Sequence, residues 1–294
     1  MEQMEQQQLN NSVRKNNMSK RVLKSNMLKV LSFLATISGL VVLLILLIQV
    51  FTQGIPWLNW DFLTGKLSTD PDRAGIMGAI LRTILLMIVV IHIQSIIGVG
   101  TAIYLELELT KGRFKSFVHT NISNLAGVPS IVYGLLGLTV FVRLMDFGNV
   151  VLAGGLTLSL LILPIVIVSS QEALRAVPQQ LEEASYGMGA TKWQTVKNII
   201  LPAALPGILT GSILALSRAI GETAPLTVLG IPALLIPLPS GIFDTFTALP
   251  MQIYYWTLDS SLVEEYAYLA AATIIVLLVL LFVLNSIAIL IRNK

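Results

Sequence analysis

Arg218 and Glu222 are four residues apart inside a long apolar stretch, so a helix there places both side chains on one face. An ionised side chain at bilayer depth costs at least about 2.5–3.5 kcal/mol on insertion scales, so it must face protein or a water-filled path. The planar guanidinium of arginine donates two parallel hydrogen bonds to a phosphate-like oxyanion. The spacing therefore predicts an anion pathway in which Glu222 holds Arg218 between transport events. The alternative is a plain ion pair that ties two helices together.

A third charged side chain, Arg82, lies about one and a half turns into an earlier apolar stretch. It could attract anions at the entrance of a pathway, and it is therefore a candidate pathway residue together with Arg218 and Glu222. The alternative is that its stem lies along apolar surface while the charged end reaches the outer interface.

Other kinds of chemistry lack the residues that they need. The chain has no cysteine, which excludes disulfides, thiolate metal sites and a cysteine nucleophile. No Gly-x-x-x-x-Gly-Lys-Ser/Thr loop is present, so ATP is not expected to bind in that manner. No Ser/His/Asp arrangement stands out, and no basic stripe with interleaved aromatic residues suits nucleic acid. We therefore expect that the chain is not an enzyme and has no cofactor or metal site. We also expect the energy source to lie outside this chain.

The composition is that of a membrane protein. Of the 294 residues 55% are hydrophobic and only 12% are charged, about half the charged share of a soluble domain, and the mean hydropathy is +0.80. A helix needs about 20 apolar residues to span the hydrocarbon core, and the apolar runs are continuous rather than alternating as in a barrel. The sequence predicts an all-α polytopic helix bundle with about six transmembrane helices, at 28–51, 76–104, 121–142, 150–171, 205–229 and 267–291.

The distribution of basic residues predicts the orientation. Most of the 19 Lys and Arg residues fall in segments that lie inside when the N-terminus is cytoplasmic, so both termini are expected in the cytoplasm of a multi-pass plasma membrane protein in contact with lipid. We expect residues 1–26 to form a disordered tail and residues 27–75 a first transmembrane helix with an outer loop. Residues 76–291 then form the main transmembrane domain, in which the proline-broken segment 230–266 lies at the outer surface.

The longest cytoplasmic loop, 172–204, has a shape that a partner protein could bind. Two helical stretches are separated by the turn 186–189, and Pro202 and Pro206 are expected to end the second stretch. Such a helix–turn–helix on the inner membrane face can seat in a groove of another protein. An ordinary amphipathic inner loop is the alternative. The second stretch carries an apolar stripe at helical spacing, made of Thr191, Trp193, Val196, Ile199 and Ile200.

The spacing of this loop resembles the signature loop of permease subunits in ABC-type importers. The matching positions are Glu183-Ala184-Ser185, Gly189, Ile199 and Leu201-Pro202, and the one departure is Ser185 where alanine is usual. The resemblance implies that the loop is the coupling element that docks on the ATP-hydrolysing subunit. The residues it assigns to that contact are Glu182, Glu183, Ala184, Gly189, Ala190, Ile199, Leu201 and Pro202.

Two further stretches resemble signatures of phosphate-specific importer permeases. Residues 124–134 look like the third-span signature, and residues 217–226 look like the fifth-span signature, whose Glu-Thr-Ala-Pro-Leu ending resembles the A-type subunit. With residues 246–250 and the coupling loop, the resemblance covers most of residues 75–290. It implies a type I ABC importer permease fold in a bacterial inner membrane, with inorganic phosphate as cargo.

The resemblance also implies partners. These are a homologous C-type permease subunit as heterodimer partner, two ATP-binding ABC subunits inside, and an extracytoplasmic phosphate-binding protein. The outer segment 230–260 is the candidate contact for the binding protein because of its placement and because we expect its aromatic residues Tyr254, Tyr255 and Trp256 to be exposed. The alternatives are a permease for another oxyanion or small solute, and an ATP-independent channel or carrier, which would have no use for the docking loop.

Overall fold

The computed structural model describes residues 2–109, 112–230 and 241–292. It divides into two units, residues 1–52 and 53–294. The division falls between the boundaries at 26 and 75 that the sequence predicts. The helices are α1 Glu2–Gly54, α2 Trp60–Thr64, α3 Met77–Glu108, α4 Arg113–Leu125, α5 Ser130–Leu144, α6 Val151–Arg175, α7 Gln179–Gly187, α8 Lys192–Gly221, α9 Ala224–Val228, α10 Leu249–Asp259 and α11 Glu265–Arg292.

Within the described residues, five helical segments are long and apolar enough to cross a membrane, or up to six when the bent pair of α4 and α5 counts as one span. Their most apolar windows have mean hydropathies of 2.0 to 3.2. This agrees with the predicted helix bundle of about six spans. The five segments are Lys24–Trp57, Met77–Glu108, Val151–Arg175, Lys192–Gly221 and Glu265–Arg292.

Residues 2–26 are helical in the structure, where the sequence predicts a disordered tail. α1 runs as one helix from Glu2 to Gly54. Gln, Glu, Lys, Arg and Met make up much of its first half and are good helix formers. Adding residues to an existing helix is far easier than starting a new one, so helical backbone extends from the apolar span into the polar segment.

The span predicted over 121–142 is strongly bent in the structure. α4 and α5 meet at an angle of 99°, because Pro129 has no N–H and restricts the residue before it to extended backbone. The hydroxyl of Tyr133 donates a 2.8 Å hydrogen bond to the carbonyl of Leu125 across the bend. α5 alone is about 22 Å long, which is short of the hydrocarbon core of about 30 Å, so a crossing here needs both arms.

The predicted ends of the fifth span are wrong. α8 begins at Lys192, inside the predicted loop, and continues through Pro202 and Pro206 to Gly221. A π-helical turn precedes Pro202, in which the N–H of Leu201 donates to the carbonyl of Val196. This wider turn accommodates a proline inside a continuous helix. The chain then breaks, and residues 224–228 form the separate helix α9.

The centre of the second unit is α6, which packs against α3, α5 and α8. Small residues permit these close approaches. A Cβ added to Gly155 would lie 2.6 Å from the side chain of Val89, for example. The buried residues around α6 include Leu86, Val90, Leu158, Ile162, Val166, Ala215 and Ile220. α6 therefore fixes the relative positions of the second, third and fifth spans.

The outer segment is only partly exposed. Residues 231–240 lie outside the described part of the chain, and Val150 and Thr245 form an isolated antiparallel bridge. Tyr254 is 39% exposed, but Trp256 is 3% exposed and packs beside Phe62 at a ring-centroid distance of 6.2 Å. The expectation that Trp256 is an exposed aromatic is wrong, because α10 turns this ring towards the core that it shares with α2.

Candidate functional site

The loop 172–204 is a compact helix–turn–helix held by local hydrogen bonds. Gly189 has φ +85°, in the left-handed region that glycine adopts most readily, and its N–H donates to the carbonyl of Tyr186. The next N–H, of Ala190, donates to the carbonyl of Ser185 at 3.1 Å. Thr191 then begins α8 with a capping box, in which its side chain and that of Gln194 each accept from the other's backbone N–H. The turn and the start of α8 are thus specified within a few residues.

Ser185, the position where the resemblance expects alanine, has a specific contact. Its hydroxyl lies 2.9 Å from the hydroxyl of Thr195, and both residues are buried, at 3% and 0% exposure. Thr195 also donates to the carbonyl of Thr191. The serine therefore ties α7 to the first turn of α8. Sequence reasoning missed Thr195, although a hydroxyl on the buried side of the predicted stripe was a usable signal.

The predicted apolar stripe of α8 separates into a buried and an exposed part. Val196 and Ile200 are buried at 4% and 3% exposure, Ile199 is half-buried, and Trp193 is 68% exposed. The buried pair packs against the inner ends of α3 and α6, so it anchors the loop to the bundle. The exposed apolar residues of the loop are Leu181, Tyr186, Met188 and Trp193.

The other residues assigned to the coupling element lie along the same loop. Glu182 accepts from the Tyr186 hydroxyl at 3.2 Å, and Glu183 accepts from the Gln179 side chain at 3.0 Å. Partial burial, followed by the negative charge of Glu182, raises the pKa of Tyr186 above its ordinary value, which keeps its hydroxyl a donor. Of the remaining residues, Ala184 and Pro202 are exposed and Leu201 is half-buried.

Two acidic residues at the inner end of α3, which the sequence reasoning did not single out, connect the loop to the bundle. Glu108 forms an ion pair with Lys192 at the start of α8, with 2.9 Å between Oε2 and Nζ. Glu106 is shared by Arg175 at the end of α6, at 2.9 Å, and by Lys115 of α4, at 3.6 Å. The sequence did contain a signal for these contacts. Two acidic residues directly follow a long apolar run, and basic residues lie at the inner ends of other spans.

Arg218 and Glu222 form the ion pair that their spacing predicts. The Nε of Arg218 donates to Oε1 of Glu222 at 3.2 Å. The pair joins two consecutive turns of one segment, so it does not tie two helices of this chain together. The side chain of Arg218 is 48% exposed and that of Glu222 is 18% exposed. Arg218 also lies in the last turn of α8, where the carbonyl end of a helix favours a positive charge.

The third-span and fifth-span stretches meet beside this pair. α5 packs against α9, and a Cβ added to Gly134 would lie 2.8 Å from both Cα and O of Pro225. The glycine therefore allows the two backbones to touch. Tyr133 is 6% exposed and lies within electrostatic range of Arg218. Two stretches about ninety residues apart thus form one contact region around the end of α8.

The helix that carries the pair is also held from its other side. The hydroxyl of Ser217 lies 2.8 Å from Oδ1 of Asn285 in α11 and 2.8 Å from the carbonyl oxygen of Ile213, and the two acceptors share its single hydrogen. Sequence reasoning missed Asn285, although a lone amide in an otherwise apolar last span was a signal for an interhelical hydrogen bond. The contact fixes the rotation of α8 next to Arg218.

Arg82 is 1% exposed and lies among residues of this chain. Its role in an anion pathway stays a prediction. Its Nε donates to the carbonyl of Thr245 at 3.2 Å. Next to it, the hydroxyl of Thr83 accepts from the N–H of Leu249, which begins α10. The first turns of α3 therefore anchor the outer segment.

Comparison with known proteins identifies the family. Residues 94–294 match the family described as binding-protein-dependent transport system inner membrane component. The chain belongs to this family. It is a permease subunit of an ABC importer, a multi-pass inner membrane protein that transports rather than catalyses.

Relatives of known sequence support the assignment. The permease is 33% identical over 216 residues to the phosphate transport system permease protein PstA 1 of Mycobacterium tuberculosis, covering 71% of this chain and 70% of the relative. It is 31% identical over 230 residues to PstA of Haemophilus influenzae, covering 78% and 74%. It is also 33% identical to the probable ABC transporter permease protein YqgI of Bacillus subtilis. That match spans 60% of each chain.

Solved structures confirm the fold. A chain of the MetNI methionine ABC transporter, solved in inward-facing conformations, superposes with a TM-score of 0.59 at 19% identity, covering 74% of this permease and 94% of that chain. A chain of a bacterial ABC transporter involved in alginate import superposes with a TM-score of 0.60 at 17% identity, covering 85% and 88%. The predicted all-α, type I importer-like bundle is therefore confirmed.

Proposed function

We propose that this permease is the A-type membrane subunit of an ATP-driven importer of inorganic phosphate. The contact of the third-span and fifth-span stretches beside the Arg218–Glu222 pair carries the proposal. These are the two stretches whose residues resemble phosphate-specific permeases, and they meet beside the ion pair at the end of α8. The phosphate transport names of relatives at 31–33% identity support the same cargo.

The geometry of the pair suits transient binding of an oxyanion. Arginine has five N–H donors in a planar fork, and the ion pair engages the Nε of Arg218, which leaves the outer nitrogens to meet phosphate oxygens. Glu222 keeps the guanidinium oriented when no anion is present. Its negative charge also limits how tightly phosphate is held, and an anion in transit must be released as well as bound.

The cytoplasmic loop supplies the energy input in this proposal. Two ATP-binding subunits dock inside, one on the exposed apolar face of this loop and one on the corresponding loop of a C-type permease. Closure of the ATPase pair pushes on residues 182–202. α8 is continuous from this loop to Arg218, so a rigid-body movement at the loop reaches the ion pair directly. Outside, a phosphate-binding protein delivers the cargo to the segment 230–260, and both termini lie in the cytoplasm.

The direct test is phosphate uptake by the complete complex in proteoliposomes, loaded with ATP and supplied with the binding protein and labelled phosphate. We expect Arg218→Gln to lower the uptake rate about ten- to a hundred-fold, since a hydrogen bond to a charged group contributes about 1.5–3 kcal/mol. Arg143→Gln is the matched control, because Arg143 is an exposed arginine of α5 outside both stretches. Co-purification of all subunits establishes that each variant complex is intact.

Two results would refute separate parts of the proposal, the pathway role of the ion pair and the identity of the cargo. Wild-type uptake by an intact Arg218→Gln complex would exclude the pair from the pathway. Transport of another oxyanion or a small solute by the wild-type complex, with no phosphate uptake, would establish the alternative cargo while leaving the family assignment in place.

A further inference from the structure

A shallow cavity opens where the inner ends of three helices meet. Its volume is about 360 Å³, and it is lined by Gly112, Lys115, Ser116, His119 and Arg175. These residues come from the start of α4 and the end of α6. The lining contains two cations and a histidine, so the cavity is suited to an anion rather than to an apolar ligand.

The two cations are held in place by one shared carboxylate. Oε2 of Glu106 lies 2.9 Å from Nη2 of Arg175 and 3.6 Å from Nζ of Lys115. Lys115 also donates to the backbone carbonyl of Glu106 at 3.5 Å. The side chains of Lys115 and Glu106 are only 17% and 16% exposed. Two positive charges thus meet the carboxylate of Glu106 in a partly desolvated place, and a second carboxylate within electrostatic range of Arg175, that of Glu172, is exposed.

Both cations retain donors after they have satisfied Glu106. An ammonium group has three N–H donors and a guanidinium has five, whereas Lys115 contacts two oxygens of Glu106 and Arg175 contacts Oε2 of Glu106 through Nη2 alone. Ser116 and His119 add a hydroxyl and a ring nitrogen at the cavity wall. The tetrahedral oxygens of a phosphate group accept several such hydrogen bonds at once.

The position of α4 indicates where the anion comes from. Phe114 and Phe117 are 65% and 66% exposed and lie three residues apart on one face of α4. Exposed aromatic rings beside basic residues on an amphipathic helix are typical of a helix that lies in the membrane interface. The cavity between Lys115 and Arg175 is then level with lipid headgroups. Basic pockets between spans on the cytoplasmic side are known to suit anionic headgroups.

We propose that this cavity binds the phosphate group of an anionic phospholipid from the inner leaflet. Lys115 and Arg175 contact the phosphate oxygens, Glu106 positions both cations, and Phe114 and Phe117 lie among the acyl chains. Free inorganic phosphate offers the same oxygens, but it would make no use of the two exposed rings. The inference concerns a surface apart from the Arg218–Glu222 pair and holds whatever the permease transports. The assignment to the inner leaflet follows from the proposed orientation.

The test measures lipids that stay bound to the full-length permease, purified with its partner subunits from nanodiscs of equal phosphatidylglycerol and phosphatidylcholine. Native mass spectrometry counts each lipid. We expect phosphatidylglycerol to be retained preferentially and Lys115→Gln to reduce this preference about five-fold, the effect of one basic residue near an anionic surface. Lys192→Gln should leave the preference unchanged, because Lys192 is also a cytoplasmic cation paired with a glutamate but lies outside the cavity.

A second pair of variants keeps the ion pairs intact. Ser116 is exposed at the cavity wall and takes no part in the contacts of Glu106. Ser116→Asp adds a negative charge there and should reduce phosphatidylglycerol retention about five-fold, whereas Ser116→Asn should not. Equal effects of Asp and Asn, or an equal loss in Lys192→Gln, would overturn the proposal.

A final arm separates the two sources of phosphate. The melting temperature of the complex in neutral detergent is measured with added inorganic phosphate and, separately, with short-chain phosphatidylglycerol. We expect short-chain phosphatidylglycerol, and not inorganic phosphate, to raise the melting temperature. The Ser116→Asp variant should show no such increase. Stabilisation by inorganic phosphate that Ser116→Asp abolishes, without any lipid preference, would replace the lipid by the free anion and overturn the assignment.

Discussion

The cytoplasmic loop and the contact beside Arg218 are both candidate sites, but they are built in different ways. The turn of the loop is held by hydrogen bonds between residues at most ten positions apart, such as Ser185 with Thr195 and Ala190 with Ser185. The contact beside Arg218 depends on residues that are far apart in the chain. Gly134 meets Pro225, and Ser217 meets Asn285.

This difference teaches which substitutions each region tolerates. A locally specified turn keeps its shape when the surrounding bundle moves, which suits a lever that another protein pushes. A contact between two distant backbones has no such independence, because its geometry depends on the packing of several spans. Damage to the contact should therefore cost more stability than damage to the loop.

The largest effect is expected at Gly134. Gly134→Ala places a Cβ 2.8 Å from the backbone of Pro225, so α5 and α9 must separate. Overpacking of this kind costs about 1–3 kcal/mol, and the melting temperature of the purified permease should fall accordingly. Gly100→Ala is the matched control, since nothing lies within 4 Å of the Cβ it would add. Equal melting temperatures for the two variants would show that the contact is not tight.

A smaller effect is expected at Gly189. Gly189→Ala forces a Cβ onto a residue with φ +85°, which costs about 1–2 kcal/mol. The turn should relax to another conformation and shift the exposed face of the loop. The affinity of the isolated ATP-binding subunit for the purified permease should fall about ten-fold, because a cost of about 1–2 kcal/mol corresponds to that change in the dissociation constant.

Gly187 provides the comparison for this prediction. It lies two residues earlier, has equally open space around it and does not have a positive φ. Gly187→Ala should therefore bind the ATP-binding subunit as the wild type does. If both variants weaken binding equally, the effect comes from added bulk rather than from the left-handed backbone.

The smallest effect is expected at the buried hydroxyl pair. Ser185→Ala and Thr195→Val should each destabilise the loop by about 1 kcal/mol, the usual contribution of one hydrogen bond. The double variant should cost less than the sum of the two, since the 2.9 Å contact is lost only once. Hydrogen exchange of the loop amides measures the loss of stability in each variant. If the loss in the double variant equals the sum of the two single losses, the hydroxyls are not coupled.

The outcome of the sequence interpretation follows the same division. The position of the loop, its turn at Gly189 and the pairing of Arg218 with Glu222 were predictable, because each depends on spacing along one or two helical turns. The size of the bend at Pro129 and the passage of α8 through Pro202 were not predicted. A proline can end, kink or be absorbed by a helix, and the neighbouring helices decide which occurs.

The sequence by itself determined the membrane class, the number of spans and the family, since hydropathy and motif spacing are properties of the linear chain. Only the tertiary structure decided what the charged residues do. Arg82 is buried and binds a carbonyl of the outer segment, whereas Arg218 remains half-exposed beside its glutamate. Both are arginines in apolar stretches, and the sequence does not distinguish them. The burial of a charge depends on which distant segments pack around it, and that is settled only when the spans assemble.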